Sequence, residues 1–312
     1  MTKKRNGLLE LYRLFFCFWV LYFHHFLFIE NTGKVYRDAY LAVEFFFILG
    51  GVFLLNSLKR SEDLPAWQGC GKFIWGRLKP LFPTLCVVFC FNVTGIIIQA
   101  SKYGFDFNTQ IGTVYYLWFL PFLFLGLFCM YWLYRRIKNK TVFFILLGVL
   151  TIAGYTVEFS IHFTQYWLDQ LHLSIARSLG GISFGILISR IPRMALAWKK
   201  INFNYLVILP TIALILWTAY KPQNNWERAS IIVMYGFLIY FTLNIQNVGG
   251  KFFDFIGALS MRLYIYMAIL CMLLLFGVTD YVELFFINLT LSLTDMFVFG
   301  WLRKRLSQKK KA

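Results

Sequence analysis

The sequence predicts an all-α fold: a polytopic membrane bundle of about ten transmembrane helices with both termini in the cytoplasm. Three observations predict it. First, 59% of the 312 residues are hydrophobic and only 14% are charged, where a soluble domain carries about 25% charged residues. Second, the apolar residues fall into runs near the length that crosses a bilayer, about 20 residues for a helix. Third, the basic residues are strongly biased to alternate loops.

The predicted spans are 8–29, 40–58, 80–100, 114–134, 141–159, 175–190, 203–220, 229–246, 255–276 and 281–302. Runs this long must be helices, because an open sheet edge has no hydrogen-bond partner in lipid. The sixth is short and holds Gly180, Gly181 and Gly185, which suits either a broken helix or close packing against a neighbour. The first follows Lys3, Lys4 and Arg5, as a signal peptide does. Its length, the lack of a small-residue cleavage site, and Arg13, His24 and His25 within it predict a retained span.

With the N-terminus inside, most of the 31 lysines and arginines fall on cytoplasmic segments. These clusters are Lys3–Arg5, Lys59–Lys79, Arg135–Lys140, Arg190–Lys200 and Arg303–Lys311. The outer segments keep only Lys34, Arg37, Lys102, Arg177, Lys221 and Arg228. An even number of spans follows. The net charge of +17 is thereby assigned to the membrane surface, because no basic domain and no nucleic-acid motif accompanies it. No soluble domain, linker or internal repeat is visible, so residues 1–312 read as a single integral-membrane domain. The six cysteines show no paired ligand pattern and read as small buried hydrophobes; no metal site is expected.

Ionisable residues inside spans are costly and therefore informative. Arg13 and His24 are eleven residues apart, which on a helix leaves them within roughly 20° of one another and about 16 Å apart along the axis. Glu10 is one turn from Arg13 and able to pair with it. The result is a polar stripe running through the membrane, with a histidine able to take a proton from a hydroxyl near neutrality. The bland alternative is a snorkelling Arg13 and interfacial histidines. Glu44, near the outer end of the second span, either serves the same site (orienting a histidine or binding a sugar) or simply reaches water. Lys72, Arg77 and Lys79 form a cytoplasmic basic cluster that either binds phosphates or only sets topology. Glu158, His162, Asp169 and His172 lie in or beside one outer loop, and Arg177 opens the sixth span. Asp295 and Arg262 are expected to face the bundle interior.

Together these residues resemble the acyltransferase 3 family of bacterial membrane-bound O-acyltransferases. The similarity is carried by Glu10-Leu11-Tyr12-Arg13 with His24 ten intervening residues on, by Tyr40–Gly51 around Glu44-Phe45-Phe46, and by Arg77-Leu78-Lys79-Pro80-Leu81-Phe82-Pro83. Leu117–Leu120 and Ile256–Ser260 with Tyr264 are looser echoes. The resemblance implies transfer of an acetyl or other small acyl group from cytoplasmic acyl-CoA to a hydroxyl of an extracytoplasmic glycan or lipid-linked sugar, in a bacterial plasma membrane. It implies His24 as general base or transient acyl carrier. It also implies Arg13 at coenzyme A or the thioester, Glu44 in the site, and Arg77, with Lys72 or Lys79, on the nucleotide phosphates. Three positions depart from the family pattern: Gly50 replaces a serine, Pro80 an arginine and Met267 a histidine. A transporter or flippase, or a non-catalytic scaffold of polysaccharide assembly, is the alternative expectation.

Overall fold

The structure is a computed structural model that describes residues 6–29, 41–60, 64–104, 118–160, 167–192, 208–209, 211–216, 224–244, 249–275, 277–278 and 280–309. Among them no strand occurs. The helices are α1 (Gly7–Ile29), α2 (Ala42–Arg60), α3 (Ala66–Leu78), α4 (Phe82–Tyr103), α5 (Phe119–Arg136), α6 (Lys140–Ser160), α7 (Trp167–Arg190), α8 (Asn225–Asn244), α9 (Lys251–Leu275) and α10 (Tyr281–Lys309). Nine of the ten predicted spans thus correspond to a long helix. The span 203–220 is described only at 208–209 and 211–216, which are helical.

Local chemistry sets many of the helix ends. The Asn6 side chain accepts hydrogen bonds from the amides of Leu8 (3.1 Å) and Leu9 (3.3 Å), which caps α1. Asn139 caps α6 in the same way and Asp280 caps α10. At α8 the capping is reciprocal. Asn224 Oδ1 accepts from the Glu227 amide at 3.0 Å, and Glu227 Oε2 accepts from the Asn224 amide at 3.2 Å. Helix α4 begins beside Pro83 and ends at Gly104, whose φ of 84° suits a residue without a Cβ.

Two features differ from expectation. The inner loop after the second span contains α3, a helix of 13 residues that is far too short to cross a bilayer and so leaves no span-length signal. Pro65 starts it, and Gly69, Cys70 and Phe73 form its buried side. Phe73 lies 5.8 Å from the Tyr131 ring and Trp67 lies 6.2 Å from Phe128, both on α5. Helix α7 begins at Trp167 rather than at 175, because polar residues such as Asp169, Gln170 and His172 lead it in.

The helices form two compact units. Residues 1–32, 77–118 and 249–312 make the first, in which α9 packs against α1, α4 and α10. Residues 33–76 and 119–248 make the second, in which α7 packs against α2, α5, α6 and α8. Five helices hold segments long and apolar enough to cross a membrane: Phe82–Lys102, Lys140–Ser160, Leu171–Arg190, Lys251–Ile269 and Val282–Trp301. Their outward faces carry large apolar side chains such as Phe89, Ile97, Ile145, Ile152, Phe286 and Phe297, all exposed. Lipid solvates such a surface; water does not. Of the described cysteines, all free, Cys17 and Cys70 are buried as expected, whereas Cys86 and Cys90 lie on the exposed face of α4.

Glycine makes the second unit's centre possible. A Cβ on Gly51 would collide with the Ile182 carbonyl oxygen, and one on Gly185 with that of Ile48, so α2 and α7 touch backbone to backbone. Replacing Gly185 with leucine is expected to lower stability by about 1 to 3 kcal/mol or more through forced separation of these helices. Gly148→Ala, where a Cβ meets nothing within 4 Å, should leave thermal unfolding in detergent unchanged.

Candidate active site

Helix α1 is continuous from Gly7 to Ile29, so Arg13 and His24 share one face, separated by about 16 Å along the axis. Both side chains are half-buried. Arg13 Nη1 donates to Glu10 Oε2 at 2.6 Å, one helical turn away, and Glu10 is buried. The Glu10 carboxylate in turn lies against Gly257 of α9. One and two turns further along, Cys17 Sγ donates to the Ser260 carbonyl oxygen at 3.0 Å, which keeps α1 and α9 in register.

His24 Nδ1 stands 2.8 Å from the carbonyl oxygen of Val20. A carbonyl oxygen only accepts, so Nδ1 carries the proton and Nε2 holds the ring's lone pair. This is the tautomer of a general base that works through Nε2. The side chain of His25 and the whole of His162 lie outside the described residues.

The first unit contains a second ionic centre. Arg262 Nε donates to Asp295 Oδ2 at 2.5 Å, Thr84 Oγ1 donates to the same oxygen at 2.9 Å, and Tyr266 donates to Oδ1 at 3.1 Å. The expectation that Arg262 and Asp295 face inward holds, with each as the other's partner. The network ties α4, α9 and α10 together.

Glu44 belongs to the second unit and does not reach water; it is fully buried. Arg177 Nε donates to its Oε1 at 2.6 Å, and the Tyr155 hydroxyl donates to its Oε2 at 3.1 Å. Glu158 Oε1 lies 3.6 Å from the same Arg177 nitrogen. Arg177 and Glu158, assigned from sequence to the outer boundary, are therefore interior residues 3% exposed. Placing the start of α7 too late concealed this. Tyr155 and Glu158 lie near the end of α6 and Arg177 about three turns into α7, and only a correct α7 boundary would have paired them. His172 is exposed on α7.

Lys72 is exposed on α3, Arg77 is half-buried in its last turn, and Lys79 is exposed in the turn to α4. Burial lowers the Arg77 guanidinium to about 10, which leaves it charged at neutral pH. Of the three departures, Met267 is buried in α9, and a Cβ on Gly50 would already press on Leu123 at 3.0 Å.

Arg177→Ala would strand two carboxylates in the protein interior and should cost about 3 to 5 kcal/mol. Pairing it with Glu44→Gln should recover part of that loss, as read by thermal unfolding of the purified protein.

Searches of curated proteins and of solved structures return no match. The family model described as an acyltransferase domain, that of acyltransferase 3, matches residues 6–302, nearly the whole chain. That match spans the Arg13–His24 helix, the Glu44 segment and both ionic centres, and with the five apolar helices it makes this chain a multi-pass membrane acyltransferase that belongs to the acyltransferase 3 family.

Proposed function

We propose that this protein takes an acetyl or other small acyl group from cytoplasmic acyl-CoA and transfers it to a hydroxyl of an extracytoplasmic glycan or lipid-linked sugar. The setting is a bacterial plasma membrane, with about ten spans and both termini inside, as the distribution of basic residues favours. In that orientation Arg13 lies toward the donor side and His24 toward the acceptor side.

The observation that carries this reading is the state of His24. Its Nδ1–H is committed to the Val20 carbonyl, which supports Nε2 of the neutral ring as the nitrogen that acts as base. Nε2 takes the proton of the acceptor hydroxyl as that oxygen attacks the thioester carbonyl carbon. The tetrahedral intermediate then collapses: the C–S bond breaks, the new ester C–O bond remains, and the imidazolium returns its proton to the departing thiolate. No net proton is lost and the histidine is regenerated. Direct transfer accounts for the site without a covalent acyl-histidine, which the same nitrogen could also form.

Arg13 and Glu10 form a pair with no net charge. Such a pair attracts a phosphate weakly and suits a directed hydrogen bond, as to an amide of the donor's pantetheine arm rather than to the thioester attacked beside His24. Attraction of the coenzyme A phosphates falls instead to Lys72, Arg77 and Lys79, on α3 and the turn after it. The half-buried Arg77 guanidinium is only partly solvated and gains more from an anion than a fully exposed one does. Glu44, engaged with Arg177 and Tyr155, serves by holding α2 against α6 and α7.

His24→Ala is expected to insert and accumulate normally yet abolish acylation, and mass spectrometry of surface glycan from cells with and without the variant reads the result. Glycan that keeps its acyl esters would remove the catalytic role of His24. Movement of a sugar substrate across vesicles without acyl-CoA would favour a transporter instead.

A further inference from the structure

The geometry points to Glu10 as a positioning residue for Arg13, held in place by the absence of a side chain at Gly257. This deepens the reading of Arg13 as a donor-binding residue and rests on it.

An arginine on a long flexible stem samples many rotamers, and fixing its guanidinium costs entropy unless something holds it. Glu10 is one turn before Arg13 on the same helix, and their 2.6 Å contact fixes Nη1. A carboxylate on a flexible stem could itself swing away, so it needs a seat. That seat is on α9. A Cβ built at Gly257 would fall 2.5 Å from Glu10 Cδ and 3.2 Å from Cγ, and closer still to Oε2. All three of its nearest neighbours are atoms of Glu10. The space that any other residue would fill at position 257 is thus occupied by the carboxyl group. Burial of Glu10 to 7% exposure keeps competing water away from it. The Cys17–Ser260 hydrogen bond, next along the same pair of helices, keeps Gly257 level with Glu10. Donor recognition on α1 is in this way set from α9.

Substitution at Gly257 displaces only the far end of a flexible side chain, not backbone, so it perturbs the site while sparing the fold. Acetyl-CoA serves as the probe, and its affinity for the purified full-length protein is measured together with thermal unfolding in detergent. Gly257→Ala and Glu10→Ala should each weaken acetyl-CoA binding about tenfold, the first at unchanged melting temperature and the second at a lowered one, because it leaves Arg13 without its counter-ion. The double variant should bind no more weakly than either alone, since with the carboxylate gone an added methyl at 257 meets an empty space. Gly300→Ala, where a Cβ has no neighbour within 4 Å, should bind as the parent does. If Arg13→Ala weakens binding while Gly257→Ala and Glu10→Ala do not, the positioning role fails and the donor-binding role of Arg13 stands. If Arg13→Ala leaves affinity untouched, both fall. A melting temperature that drops in Gly257→Ala, and drops as far when the same change is added to Glu10→Ala, would show packing alone and overturn the proposal.

Discussion

A charge carried into hydrocarbon needs its counter-ion close by, because at low dielectric an isolated ion costs far more than any single contact returns. The described helices obey this three times, with Glu10 and Arg13, Glu44 and Arg177, and Asp295 and Arg262. Each pair is buried or nearly so, and each is made where helices meet. The rest of the structure follows from keeping those meetings close. Glu10 needs α9 without a side chain at 257, and Asp295 needs Thr84 and Tyr266 to occupy its remaining oxygen lone pairs. Glu44 needs α7 near enough for Arg177 to reach it.

The pairs differ in what they leave available. In the Asp295 centre the carboxylate accepts three hydrogen bonds, and Arg262 also donates to the Ala258 carbonyl at 3.0 Å. That saturation suits a brace between α4, α9 and α10. The Glu44 centre is likewise enclosed, by Tyr155 and Glu158 of α6 and Arg177 of α7. The Glu10–Arg13 pair is the more open one: the arginine side chain is 18% exposed. A guanidinium with one edge restrained and another accessible is the arrangement expected where a substrate is to be gripped.

Much of this was legible in the sequence, and what was not has definite causes. The Arg13–His24 stripe could be read because both residues sit on one uninterrupted helix, where spacing alone dictates the face. The ionic partners of Glu44 and Asp295 could not, since they join helices far apart in the chain and no spacing rule links Glu44 to Arg177. Helix α3 escaped notice because span-counting looks for length. The buried role of Arg177 escaped because a hydropathy window starts a helix at its apolar part, and α7 starts before that. Gly257 was visible only as part of the loose Ile256–Ser260 similarity; nothing short of the neighbouring carboxylate shows why it lacks a side chain.

The hydrogen bond from His24 to Val20 has a consequence for genetics. Its acceptor is main chain, so the ring's orientation is inherited from the turn of helix beneath it. Changing the Val20 side chain leaves that oxygen in place. A screen of point substitutions would therefore report the histidine as indispensable and its partner as dispensable, although the partner decides which nitrogen can act. Only an alteration of the peptide linkage itself, such as an ester in place of an amide, would expose the second half of the device.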